Sequence, residues 1–219
     1  MKDKADGITV RFRGINSMLF NSYQFLIFFP IVVLIYWVIP LRFRYIWLLA
    51  ASYYFYMCWN AKYAILLLFS TAVTYMSGLV ISRIKSLDIG AKKQTKYMKL
   101  CVAFSFVANL GVLAWFKYFN FIFENIQKIC AKAGLALASP AFDIVLPVGI
   151  SFYIFQALSY TVDVYRGDVY AEKNFLKYAL FVSFFPQLVA GPIERSKICL
   201  NRLTSLTDLT TKNAARAFF

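Results

Sequence analysis

Long apolar runs separated by clusters of lysine and arginine constrain this chain more than any other feature. The runs cover Tyr23 to Ile39, Tyr45 to Ile81, Met98 to Phe116, Ile144 to Tyr165 and Phe175 to Val189. A helix needs about 20 mostly apolar residues to cross a bilayer, and about 17 at the least. Of the 219 residues 61% are hydrophobic, well above the usual soluble domain, which is about 45–50% apolar. The sequence therefore predicts an all-α, polytopic membrane protein, with about six membrane-embedded helices and an interfacial helix. The formal charge of +14 sits between the apolar runs. That is the pattern of cytoplasmic loops and not of a nucleic-acid surface.

Residues 1–17 are polar and lack the apolar core of a signal peptide. They read as an extension upstream of a translation start expected at Met18, with 18–219 forming one membrane domain. Pro30 interrupts the first span, which membrane helices tolerate when neighbours satisfy the freed carbonyl. The stretch from Tyr45 to Ile81 reads as a helical hairpin turning at CWNAK, 58–62, with Tyr53, Tyr54, Tyr56 and Trp59 at headgroup level. Residues 83–99 carry six positive charges and Asp88, and read as a cytoplasmic loop. Counting crossings back from it puts Arg42 and Arg44 on the same side. Phe119, Ile122, Phe123 and Ile126 share one helical face with Glu124 and Lys128 elsewhere, so 117–142 reads as the interfacial helix.

The segment LPVGISFYIFQALSYTVDVYRGD, 146–168, combines spanning length with polar residues. At 100° per residue, Gly149, Gln156, Ser159, Tyr160 and Asp163 fall in a narrow sector, with Arg166 at its edge. Ile150, Ile154, Leu158, Thr161, Val162 and Tyr165 lie elsewhere, and Ile154 is expected to face lipid. Hydrocarbon cannot hydrogen-bond Gln156 or Asp163, so their side must meet protein or water. Two readings stay open: an Asp163–Arg166 pair that ends the span at the interface, or one wall of a polar cavity. Pro147 suits a first helical turn, and Gly149 permits close backbone approach. FFPQLVAGPI, 184–193, is a second interrupted run. Gln187, Gly191 and Pro192 there mark either a broken helix lining a cavity or a helix end with a turn.

Other chemistry is missing from the sequence. With no histidine, and four cysteines that form no C-x-x-C pair, the chain offers no metal cluster. No Walker or Rossmann glycine loop occurs. Ser82 to Lys85 spells S-x-x-K without its companion motifs.

Taken in order, MLFNSYQFLIFFPIV (18–32), LLAASYYFYMCWNAKYAILLLFST (48–71), LPVGISFYIFQALSYTVDVYRG (146–167) and YALFVSFFPQLVAGPI (178–193) resemble the membrane-bound O-acyltransferase family. The nearest branch is that of bacterial alginate O-acetyltransferases, which also includes enzymes acetylating peptidoglycan. The resemblance implies a ring of membrane helices around a funnel in the bacterial cytoplasmic membrane. It implies an acyl thioester donor such as acetyl-CoA, with no resident cofactor. It also implies a polysaccharide acceptor and an extracytoplasmic acetyltransferase partner. Gln156, Ser159, Tyr160, Asp163, Arg166 and Gln187 would line and shape the cavity; Pro147, Gly149, Gly191 and Pro192 would be structural. The family's catalytic histidine lies beyond AGPI, in a Trp-His-Gly-like motif that this sequence does not contain. The resemblance is therefore to the family's N-terminal portion, and the chain is expected to be inactive alone. The alternative from another class is a small transporter, channel-like or accessory membrane protein. A transporter's paired repeat of interrupted spans is not visible.

Overall fold

The computed structural model describes residues 22–88, 90–132 and 149–190, and among them every secondary-structure element is a helix. The elements are α1 (Tyr23–Val38), α2 (Leu41–Ser86), α3 (Ala91–Lys132), α4 (Ile150–Arg166), α5 (Phe175–Ser183) and α6 (Phe185–Ala190). Two segments are long and apolar enough to cross a membrane, Ala61–Ser86 in α2 and Ala91–Phe119 in α3. The expected count of about six embedded helices is not met on that test. α1 has 16 residues, about 24 Å of helix against about 30 Å of hydrocarbon. α4, α5 and α6 have 17, 9 and 6 residues.

The hairpin expected at 58–62 does not form; α2 runs unbroken for 46 residues. The physical reason is local. CWNAK contains neither glycine nor proline, so nothing ends the hydrogen-bond ladder there. Arg42 and Arg44 therefore lie at one end of a helix whose other end carries Arg83 and Lys85. The crossing count that placed both on one side no longer applies. Tyr56 is buried against other helices, while Tyr54 is exposed.

The basic segment 83–99 is not a loop either. Only residues 87–90 separate α2 from α3, because Lys and Gln are good helix formers. Gly90 takes a left-handed φ of 79°. The Gln94 side chain donates from Nε2 to the carbonyls of Ile84 (2.9 Å) and Lys85 (3.1 Å). It thereby satisfies groups that the end of α2 leaves open. Residues 117–132 continue α3 and form no separate interfacial helix; the rest of that expected helix lies outside the described residues.

α2 is the hub, packing on α3, α4 and α5 and more lightly on α1 and α6. Its contact face carries Ser70, Thr71, Thr74, Ser77 and Gly78. Ser70 and Thr74 are buried, and each of the three threonine and serine hydroxyls at 71, 74 and 77 bonds a carbonyl one turn back. Small residues at four-residue spacing let helices approach where lipid supplies no hydrophobic drive. Across this face Ser70 Oγ donates to Asn109 Oδ1 of α3. Tyr178 of α5 donates its hydroxyl to Thr74 Oγ1 at 2.7 Å. A second, aromatic cluster of Phe25, Phe28, Phe55 and Phe185 ties α1 and α6 to the first half of α2.

Gly78 is where α4 comes closest. A Cβ there would stand 2.8 Å from Cε1 of Tyr160 and 3.0 Å from its hydroxyl. Tyr160 has no room to retreat. Its ring lies 4.5 Å from that of Tyr178, and its hydroxyl accepts the Glu172 N–H at 3.0 Å. Gly78→Ala should cost about 1–3 kcal/mol through overpacking, read as a lower midpoint of thermal unfolding in detergent. Gly167, at φ 91°, closes α4: its N–H reaches the Val164 carbonyl and the Asp168 N–H reaches that of Asp163. Gly167→Ala should cost about 1 kcal/mol from left-handed strain in the same assay.

Candidate functional site

The site is built on a helix break. Pro186 has no N–H to give the ladder, and Phe184 leaves helical geometry, with ψ at 111°. The Phe185 N–H would reach the Phe181 carbonyl in a continuous helix. It donates instead to Ser52 Oγ of α2 at 3.3 Å. The Phe181 carbonyl is left open at the centre of the fold, and Gln156 fills the gap. Its Nε2 donates to that carbonyl at 2.7 Å and to Gln187 Oε1 at 3.2 Å. Gln156 is only 3% exposed and Gln187 9%. Three helices, α4, α5 and α6, thus meet at one buried amide, where an unmade hydrogen bond would be costly.

One helical turn before Gln156 lies Tyr153, fully buried against Tyr56 with ring centroids 6.3 Å apart. Tyr53 stands in electrostatic reach of both. Among the described residues the hydroxyls of Tyr53, Tyr56 and Tyr153 make no well-formed hydrogen bond, nor does Ser183 Oγ; their nearest polar neighbours are Thr71 for Tyr53, and Tyr56 and Tyr153 for each other. Buried hydroxyls are ordinarily satisfied. Here three buried phenols, none in a well-formed hydrogen bond, stand beside a completed amide junction.

The residues picked from the sequence do not stay together. Gln156, Tyr160 and Gln187 turn inward, and Tyr160 joins α4 to the segment before α5 through Glu172. Ser159 is half-buried and donates to its own helix at the Gln156 carbonyl (2.8 Å). Asp163 is half-buried and Arg166 exposed at the end of α4. Gly149 opens α4 in the left-handed region, φ 74°. Pro147, Gly191 and Pro192 lie outside the described residues.

The expected lipid-facing side of α4 is also corrected. Ile150, Ile154, Leu158 and Thr161 are buried, and Ile154 has no exposure at all. Phe152 and Phe155 are exposed instead. The interior of a helix bundle in lipid is as apolar as the lipid, so apolarity alone does not say which way a side chain points. Sequence reasoning passed over Tyr153 entirely. Its signal was present: Tyr153, Gln156 and Tyr160 fall within a 60° sector at 100° per residue.

No family model matches the chain, and no solved structure does. Curated proteins do. The chain is 36% identical over 198 residues to the probable alginate O-acetylase of Azotobacter vinelandii, covering 90% of this chain and 38% of that protein. It is 36% identical over 198 residues to that of Pseudomonas aeruginosa, covering 90% and 36%. It is 31% identical over 207 residues to the peptidoglycan O-acetyltransferase of Helicobacter pylori, covering 80% and 37%. The chain thus spans little more than a third of the length of the curated relatives it matches. Through nine-tenths of its residues the chain is thus homologous to part of curated O-acetyltransferases of the membrane-bound O-acyltransferase type.

Proposed function

We propose that this chain supplies part of the wall of the acyl-transfer chamber in a membrane O-acetyltransferase acting on an envelope polysaccharide. The observation that carries the reading is the set of three buried phenols, Tyr53, Tyr56 and Tyr153, whose hydroxyls make no well-formed hydrogen bond among the described residues, in a chain homologous to O-acetyltransferases. Acetyl transfer moves the acyl carbon from a thioester sulfur to a hydroxyl oxygen, and the carbonyl oxygen gains negative charge on the way. Phenol O–H groups in a water-poor site are suited to such an oxygen, because a donor fixed in advance needs no reorganisation. The base that takes the hydroxyl proton is not a histidine of these 219 residues, which contain none.

In this reading the acyl donor is a thioester such as acetyl-CoA. The acceptor is alginate, peptidoglycan or a similar polymer, and an extracytoplasmic acetyltransferase completes delivery. The setting is the bacterial cytoplasmic membrane. Gln156 and Gln187 hold the chamber wall by closing the break between α5 and α6. Asp163 and Arg166, at the far end of α4, contribute to its rim.

Deleting the coding region in the source organism should remove alkali-labile acetate from envelope polysaccharide; unchanged acetate refutes the proposal. Two variants separate chemistry from architecture. Tyr56→Phe with Tyr153→Phe keeps both rings and should lower polymer acetate at least about tenfold with the membrane level of the protein unchanged. Gln156→Leu leaves the Phe181 carbonyl buried and unpaired. It should cost about 1–3 kcal/mol and lower the amount of folded protein in the membrane.

A further inference from the structure

An apolar groove of about 690 Å³ runs between α2 and α3, on the side of α2 away from the Tyr160 contact at Gly78. Phe69, Val73, Met76 and Val80 form one wall, and Leu100 and Phe104 the other. The one hydroxyl lining it, on Ser77, is already committed to the Val73 carbonyl at 2.8 Å. The groove therefore offers nothing to a polar solute or to a loop that needs hydrogen bonds. Its length from Phe69 to Val80 is about 16 Å of helix, about half of the 30 Å hydrocarbon slab. That is the depth of one leaflet.

The groove does not end blindly. It lies within the two membrane-crossing segments, and its upper end approaches the 87–90 turn that joins them. On α2, Arg83 follows Val80 by three residues and Met76 by seven, which puts it on the groove's face. On α3, Tyr97 precedes Leu100 by three, Lys96 by four and Lys93 by seven, so these too continue the groove wall. Arg83, Lys93 and Lys96 are exposed. Lys85, by contrast, turns away to α4, donating from Nζ to the Val164 carbonyl at 2.7 Å. An apolar channel one leaflet deep thus leads to three cations at the membrane surface.

We propose that this groove is a binding site for one anionic phospholipid, with an acyl chain between α2 and α3 and the phosphate held by Arg83, Lys93 and Lys96. The occupant follows from the two chemistries in series. A hydrocarbon chain alone leaves the cations unused, and a soluble phosphate leaves the groove open. A second protein helix would fill the channel without neutralising its mouth.

The test uses the purified 219-residue chain in mild detergent and native mass spectrometry. It is titrated with palmitoyl-oleoyl phosphatidylglycerol, with phosphatidylcholine of the same chains, and with soluble glycerophosphoglycerol. Phosphatidylglycerol should be retained about tenfold better than phosphatidylcholine. Arg83→Gln, Lys93→Gln and Lys96→Gln together should reduce it to the phosphatidylcholine level. Val80→Trp and Leu100→Trp, each at an exposed position of the wall, should weaken retention of both lipids. Equal retention of the two lipids by the unaltered chain overturns the proposal. So does an undiminished preference in the triple variant. Retention that ignores the tryptophans, or competition by the soluble headgroup as strong as by the lipid, shows a surface phosphate contact only and also overturns it.

Discussion

A peptide group in hydrocarbon must find its hydrogen bond inside the protein, and the packing around α4 follows from that requirement. The chain breaks a helix at Phe184 and Pro186, in its most buried region. It then provides two specific remedies: Ser52 for the Phe185 N–H and Gln156 for the Phe181 carbonyl. Each remedy comes from a different helix, so the break fixes α2, α4, α5 and α6 relative to one another. An unbroken α5–α6 rod would have needed neither residue, and Gln156 would then be a costly buried amide. The polar residue and the proline make sense only as a pair.

The same economy appears at helix ends. Lys85 donates to the Val164 carbonyl in the last turn of α4, Gln94 to carbonyls at the end of α2, and Arg44 from Nε to the Ile39 carbonyl while lying over the Tyr36 ring at 4.8 Å. Trp47 Nε1 reaches the Val32 carbonyl of α1, two residues past Pro30. Between the ends, α2 presents hydroxyls and a glycine where other helices cross it. These contacts satisfy polar groups within the protein itself.

Helix class and membrane setting were legible because they depend on composition and run length. The partner of α4 was not. A helical wheel sorts residues by polarity, and that separates water from grease but not protein from lipid. Ile154 and Phe155 are equally apolar; the first is sealed in the core and the second is exposed. The hairpin failed for a related reason, since Asn60 and Lys62 interrupt hydropathy without interrupting a helix. Gln156 and Gln187 were visible as misplaced polar groups, although their meeting through the Phe181 carbonyl was not. The phenol cluster joins residues about a hundred positions apart, and tyrosine alone does not say whether its hydroxyl is wet or buried.

α2 has a further consequence for the membrane around it. Its 46 residues give about 69 Å of contour, more than twice the thickness of the slab it must share. Transmembrane helices lean by up to about 40°, and leaning that far leaves such a rod still too tall. Its surplus must emerge into the headgroups or draw them inward along its flank. The length of the surrounding acyl chains therefore decides how much of α2 stands clear of the hydrocarbon.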